Sequence, residues 1–392
     1  MKAGWKIKEL GSISTINYGY TESASRDPIG PHFLRITDIQ NDQVDWSIVP
    51  FCKIDTALQT KFLLATGDIV FARTGATTGK SYLVSDPPDS VFASYLIRLR
   101  LSDKNLLPEF VSFFFQTAGY WKSIQDGVAG SAQGGFNASK LAALRIPFPP
   151  LPEQQRIVGI LDEAFDGIAT AKANAEKNLL NARALFESQL QAVFSQRGEG
   201  WSERNLTDVC AITSKLVDPR KDEFLDLTHV GAGNIESQTG VFVELKTARE
   251  EGLISGKFIF DDTMVLYSKI RPYLMKVARP DFNGLCSADM YPLSPFPKVI
   301  TRDFLYHLLL SKDFTDYAIQ GSARAGMPKV NREHLFEYRV WLPAITKQKE
   351  LAKKLDVLHE ESQRLESIYR QKLSSLDALK KSLLDQAFTG RL

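Results

Sequence analysis

A chain of 392 residues with 44% hydrophobic and 24% charged side chains can form two or three domains with cores of their own, which excludes wholesale disorder. Its net charge of +2 gives no support to a nucleic-acid partner, so any DNA binding must come from local basic loops or from partner subunits. No apolar run follows Met1 to Lys6, the patch Phe110–Phe115 is too short to span a bilayer, and Cys52, Cys210 and Cys286 lack C-x-x-C spacing; a cytoplasmic chain with reduced thiols and no membrane partner is expected.

The first segment, 1–150, reads as a mixed α/β head. Strand-like runs at 68–72 and 92–99 are rich in β-branched and aromatic residues and flank a loop of Gly and Thr. A helix from about Pro108 to Trp121, a Gly/Ser stretch and a short strand at 144–146 follow. Residues 151–197 read as a long helix opened by Pro152-Glu153 and stopped at Gly198. Its apolar seam runs through Ile157, Leu161, Ala164, Ile168, Ala171 and Ala175, then, after a one-residue stutter, through Leu179, Ala182, Phe186, Leu190 and Val193.

Residues 198–343 form a second head in the same order: a strand at 263–267, a basic loop, and a helix from about Thr301 to Leu310. Residues 344–392 form a second long helix, whose seam is Leu351, Leu355, Leu358, Ser362, Leu365, Tyr369, Lys372, Leu376, Leu379 and Leu383. Each pattern runs for about forty residues, or ~60 Å at 1.5 Å per residue, which favours two helices packed on each other over one lying on its own head. The small residues of one seam and the large ones of the other suit an antiparallel coiled coil near Ala175 and Tyr369.

The two halves are copies at an offset of 194 residues: Asn137 with Asn331, Pro149 with Pro343, Gln154 with Gln348, Leu161-Asp162 with Leu355-Asp356, and Phe194 with Phe388. The match is confined to the end of each half. The layout is therefore variable head, shared helix, variable head, shared helix, a pseudo-two-fold internal repeat. The heads differ in charge, with 15 Lys+Arg against 13 Asp+Glu over 1–150 and 18 against 20 over 198–343.

Two elements recur in both heads and are candidate DNA contacts. The loop after the central strand carries Arg73, Thr77, Thr78 and Lys80 in the first head and Lys269, Arg271 and Tyr273 in the second. Such groups suit phosphate oxygens and base edges. The Gly-Ser-Ala stretch supplies Ser131 and Gln133 in one and Arg324 and Lys329 in the other. A solvated loop is the default for either element alone; recurrence favours function. The surplus apolar residues Phe165, Leu180 and Phe194, and Leu373, Leu384 and Phe388, are candidates for partner docking, against the alternative that those near the helix ends pack on the heads.

Tests for catalysis fail. Gly75 and Gly79-Lys80-Ser81 have three residues between them where a P-loop needs four. Pro87-Pro88 is followed by Asp89 and Pro149-Pro150 by Leu151, neither the aromatic an adenine methyltransferase requires. The five histidines show no metal-ligand spacing, and no G-x-S-x-G occurs.

The run IPFPPLPEQQRIVGILD (146–162), with GDIVFARTGATTGK (67–80) and LLDQAFTGRL (383–392), resembles type I restriction–modification specificity subunits. In the second copy WLPAITKQKEL (341–351) lacks the double proline and the Glu-Gln pair. The resemblance implies two target-recognition domains, each reading half of a bipartite, asymmetric DNA site, held apart by the helices. It further implies two docked methyltransferase subunits and a motor-nuclease subunit that joins the complex. No cofactor is expected in this chain; S-adenosylmethionine, and ATP with Mg2+, would belong to the partners. The competing reading is a cytosolic coiled-coil adaptor for protein partners, which predicts neither the paired basic loops nor these motifs; a self-contained modification enzyme is disfavoured by the missing methyltransferase motif.

Overall fold

The computed structural model describes residues 4–40, 43–129, 135–196, 198–322 and 328–392. They form two compact units that cut across the sequence halves. The first takes in residues up to Asn174 together with Lys372–Leu392, and the second Ala175–Gln371. Each unit therefore holds one head, the start of the helix that follows it, and the far end of the other long helix. Those helices are continuous, Leu151–Ser195 and Ile345–Thr389, and they run antiparallel.

In the first unit, antiparallel strands Ser14–Tyr18, Leu96–Leu101, Ile69–Ala72 and Ser81–Leu83 lie in that order in one sheet. His32–Leu34 and Ser90–Phe92 pair in parallel, and Lys6–Glu9 closes the head against Arg145–Phe148. The second unit repeats the plan. Cys210–Ala211, Met290–Pro295, Val265–Ser268 and Val277–Ala278 form its four-stranded sheet, and Ser202–Asn205 pairs with Arg339–Leu342. Its further sheet is larger, with five strands that include Thr228–Val230 and Gly284–Cys286.

Two local expectations are corrected. The run 92–99 is not one strand: a turn closed by the Leu96 amide on the Ala93 carbonyl (2.8 Å) sends Ser90–Phe92 and Leu96–Leu101 to different sheets. The helix expected at 108–121 is two, Pro108–Phe114 and Ala118–Ala129. Between them Thr117 donates its hydroxyl to the Phe114 carbonyl (2.8 Å) and accepts from the Tyr120 amide (3.2 Å), offering the backbone an alternative to helical bonding.

A buried glutamine welds each head to its helix. Gln154 Oε1 accepts from the Leu107 amide (2.9 Å), and its Nε2 donates to the carbonyls of Asn105 (2.9 Å) and Pro149 (2.8 Å). Gln348 repeats this with the Thr301 amide (3.0 Å) and the carbonyls of Val299 and Pro343 (2.9 Å each). The far helix end is duplicated as well. Phe388 packs on Phe110 with ring centroids 4.8 Å apart, and Phe194 on Phe304 at 5.1 Å.

The seams hold best in the first helix, where Ile157, Leu161, Ile168, Ala175, Ala182, Phe186 and Leu190 are buried. In the second, Leu355 and Ser362 are buried, and the Ser362 hydroxyl donates to the Ala182 carbonyl (2.6 Å). Leu379, however, is 46% exposed, and the buried stripe passes to Leu384, Ala387 and Phe388. There the first head, through Phe110 and Phe114, joins the other helix in covering the face. The ion pairs Lys172–Asp377 and Arg183–Glu366 flank the helix pair, half-exposed, where such pairs add little.

One ionic cluster lies under the second helix. Asp356 Oδ1 accepts from His307 Nε2 (2.8 Å), and both its oxygens accept from Arg279 (2.7 and 3.2 Å). Although burial opposes it, His307 and Arg279 hold the Asp356 carboxyl at about 2. Burial outweighs that carboxylate at His307 and pushes its imidazole below the ordinary value; His229 is pushed down too, again by burial first.

Two predictions arise from these bonds. Gln154→Leu or Gln348→Leu strands a buried amide and two carbonyls, and each is expected to cost at least ~1–3 kcal/mol in urea unfolding; an unchanged midpoint contradicts the weld. The depressed groups take up protons later in the folded than in the unfolded chain. Stability should thus be full above the ordinary histidine value of 6.5 and fall as pH drops below it, then fall again between 3.8 and about 2 as Asp356 protonates. His307→Gln should flatten part of the upper step, and equal slopes in the two proteins would contradict the assignment.

Candidate nucleic-acid interface

Each head builds a cation into the same backbone frame. In the first, Ile69–Ala72 leads into Arg73. The Arg73 amide donates to the Tyr95 carbonyl (3.2 Å), its carbonyl accepts from the Phe136 amide (2.9 Å), and its Nε donates to the Ser94 carbonyl (2.9 Å). The guanidinium lies over the Tyr18 ring, 5.0 Å from the centroid. In the second head Lys269 takes that place. Its amide donates to the Asp289 carbonyl (3.0 Å), its carbonyl accepts from the Val330 amide (2.8 Å), and its ammonium donates to the Ala288 carbonyl. The ammonium sits 5.3 Å from the centroid of Tyr291.

These bonds bring together the two recurrent elements of the sequence, since Phe136 and Val330 end the Gly-Ser-Ala stretches. Asn137 and Asn331 then cap short helices by accepting from the amides of Lys140 (2.9 Å) and His334 (2.7 Å). Ser131, Gln133 and Arg324 lie outside the described residues.

The other candidates differ in what they can still offer. The Thr77 and Thr78 hydroxyls donate to the carbonyls of Thr74 (3.4 Å) and Gly75 (2.8 Å) within their own turn, so they present lone pairs rather than protons to a ligand. Lys80 is exposed beyond them. Beneath this loop Gly79 has φ +95°, and an added Cβ would meet Trp121 and Ile124 at 2.9 Å, so the turn needs glycine. Lys329 is exposed and lies 3.8 Å from Asp289, which also approaches Lys269 at 3.7 Å. Burial, and then Lys329, lowers the Lys269 ammonium below the usual lysine range.

Arg271 is not the counterpart of Arg73. It is exposed, with φ +50°, a left-handed conformation costly for a side-chain-bearing residue, and its amide is tied to the Pro328 carbonyl (2.9 Å). Tyr273 is exposed in the following turn, Pro272–Leu274. Sequence reasoning missed Tyr18, Tyr95, Asp289 and Tyr291. Their neighbourhood depends on strand pairing across the sheet, which spacing along the chain does not encode.

Most of the apolar residues offered for partner docking are spent on the heads. Leu384 and Phe388 are buried in the first unit's core, and Phe165 packs edge-on against Phe113 at 5.5 Å. Phe194 packs on the core of the second unit. The correction has one physical cause: a helix end that meets a head finds an apolar surface there. Leu373 is half-buried, and Leu180 is 64% exposed.

Two cavities bear on these sites. One of about 400 Å³ adjoins Arg73 and is lined by Tyr20–Glu22, Ala24, Phe33, Arg35–Thr37 and Ala93–Tyr95. Another, about 420 Å³, lies in the second unit among Phe186, Thr239, Met275, His359 and Glu366, with neither Lys269 nor Lys329 in its lining. Among the described residues no group of three or more His, Cys, Asp or Glu is placed to hold a metal, and no helix is long and apolar enough to cross a membrane.

The model of the type I restriction modification DNA specificity domain matches this sequence twice, over residues 2–181 and 198–372. The chain belongs to that family. It is a type I restriction–modification specificity subunit with two tandem recognition domains. The EcoDI specificity subunit of Escherichia coli is 25% identical over 99% of this chain and 88% of its own length. The putative MjaX specificity subunit of Methanocaldococcus jannaschii is 24% identical over 99% and 93%. Among solved structures, a chain from work on complex assembly and conformational transition of the type I R-M system aligns with a TM-score of 0.74 at 16% identity, over 100% of this chain and 99% of that one. The HsdS subunit from Thermoanaerobacter tengcongensis aligns with a TM-score of 0.61 at 17% identity, over 100% and 98%. At these identities the likeness establishes the fold.

Proposed function

We propose that the subunit reads a bipartite, asymmetric DNA site, one half with each head, and catalyses nothing itself. The observation that carries this is the duplicated cation, Arg73 and Lys269, set in one hydrogen-bonded frame in two heads whose other exposed side chains differ. A shared frame lets both heads meet a duplex alike; different side chains let them prefer different bases. Methylation and cleavage are left to two methyltransferase subunits and a motor-nuclease subunit. These would carry S-adenosylmethionine, and ATP with Mg2+. Exposed Leu180 on the first helix is the docking residue of choice for the methyltransferases, and half-buried Leu373 on the second helix is a weaker one.

In gel shifts of the assembled complex, Arg73→Ala should weaken binding to the cognate duplex by ~1–3 kcal/mol if the arginine reads a base. Lys329→Ala should weaken all duplexes alike and lower the salt slope by about one. Unchanged affinity and slope for both would move the interface elsewhere. Leu180→Glu should leave the chain folded and abolish co-purification of the methyltransferase; a surviving complex removes Leu180 from the docking surface.

The helices should set the half-site spacing, as protein geometry does in dimeric DNA-binding proteins. One heptad added after Ala175 together with one after Tyr369 lengthens both helices by ~10 Å at 1.5 Å per residue. That is close to three base-pair steps, since ~34–36 Å holds one turn of 10–10.5 base pairs. Mapping methylated adenines should show both half-sites unchanged and the gap between them longer. A fixed gap with retained activity contradicts the ruler.

A further inference from the structure

We propose that the first head's base preference is set in the cleft beside Arg73 by Arg35 and Tyr95, which read base edges of its half-site; this rests on the DNA-reading function proposed above. The cleft, about 400 Å³, has Phe33 in its lining and Tyr20, Glu22, Arg35, Thr37 and Tyr95 among its polar groups. It is continuous with the cation site, because two of its lining residues, Ser94 and Tyr95, accept the hydrogen bonds of Arg73. A duplex held by Arg73 would therefore present its bases to this cleft.

The second head identifies which residues there belong to the frame and which do not. Three bonds fix the correspondence. The Ala93 amide donates to the Leu34 carbonyl (2.9 Å) as the Ser287 amide does to Val230 (2.9 Å). The Arg35 amide donates to the Asp38 carboxylate (2.8 Å) as the Gly231 amide does to Asn234 Oδ1 (2.9 Å). The Arg73 amide donates to the Tyr95 carbonyl as that of Lys269 does to Asp289. Arg35 thus stands where the other head has Gly231, Thr37 where it has Gly233, and Tyr95 where it has Asp289. The backbone bonds are retained while a guanidinium, a hydroxyl and a phenol give way to two glycines and a carboxylate. Those side chains are not needed to build the frame.

Their geometry suits reading rather than packing. Arg35 is clamped by Asp38 through Nε (3.0 Å) and Nη2 (2.7 Å). Its torsions are therefore fixed in advance, and among the described residues its Nη1 edge is left to donate. Tyr95 is 61% exposed, with a hydroxyl that can donate or accept. Glu22 adds an exposed acceptor. A fixed donor beside an amphoteric hydroxyl fits a base edge bearing a keto oxygen, such as guanine O6 or thymine O4 in the major groove.

The test is selection from a randomised duplex library by the subunit assembled with its methyltransferase partner. Arg35→Gly and Tyr95→Asp, which install the other head's residues, should each relax or change preference at one or two positions of a single half-site, by about tenfold or more. The other half-site and the salt slope should not move. Tyr95→Phe, which deletes one exposed hydroxyl, should shift the same half-site to a smaller degree, and it carries the test alone if either larger change lowers the melting temperature. Unchanged preference overturns the inference. So does uniform weakening on every sequence, which would mark a phosphate contact, or a change in both half-sites. If the unaltered complex selects no bipartite site, it is the DNA-reading function that fails, and that outcome is distinct.

Discussion

A single buried amide side chain, used twice, is what the architecture depends on. Gln154 and Gln348 each satisfy one head amide and two carbonyls at the start of a long helix. A buried amide left without partners costs more than a made bond contributes. Direction matters here as well as energy. With three bonds made at both ends of its amide, the glutamine admits one entry angle for the helix. The far end of the other helix is then gripped by the same head through Phe110 or Phe304. Each unit consequently needs residues from both halves of the sequence.

On this base the heads could diverge. Their cores share Phe110 and Phe304, the capping asparagines and the cation position, yet their second sheets differ in strand number. The frame is made mainly of backbone amides and carbonyls, joined by a few side chains such as Arg73, Lys269, Asp38 and Asn234, so the other exposed positions are free to change. Arg35 in the place taken by Gly231, and Tyr95 in that taken by Asp289, show how far that freedom extends.

Much of this was legible in the sequence. The offset of 194 residues already paired Gln154 with Gln348, Asn137 with Asn331 and Phe194 with Phe388, and each pair performs one structural task. The first helix seam was legible because it is covered along its length: Ile157 and Leu161 lie in the first unit's core, and Phe186 and Leu190 in the second's. The second seam failed at Leu379, where the first head joins the other helix as a neighbour. For the same reason Leu384 and Phe388 looked like spare apolar surface: periodicity reports that a face is buried, never against what. The pairing of Arg73 with Lys269 rather than Arg271 was hidden because the equivalence is defined by bonds to Ser94 and Ala288, in turns about twenty residues further along the chain. Thr77 and Thr78 looked like donors because self-bonding within a turn leaves no trace in composition.

The claim that each head is stabilised by the far end of the other helix is open to direct measurement by native-state hydrogen exchange. Leu384→Ala with Phe388→Ala removes two buried side chains from the first unit's core, where each such truncation costs ~2–5 kcal/mol. Protection of the amides at 107–115 in the first head should collapse, while that at 301–310 in the second stays as it was. Equal loss in both heads, or none in the first, would contradict the account.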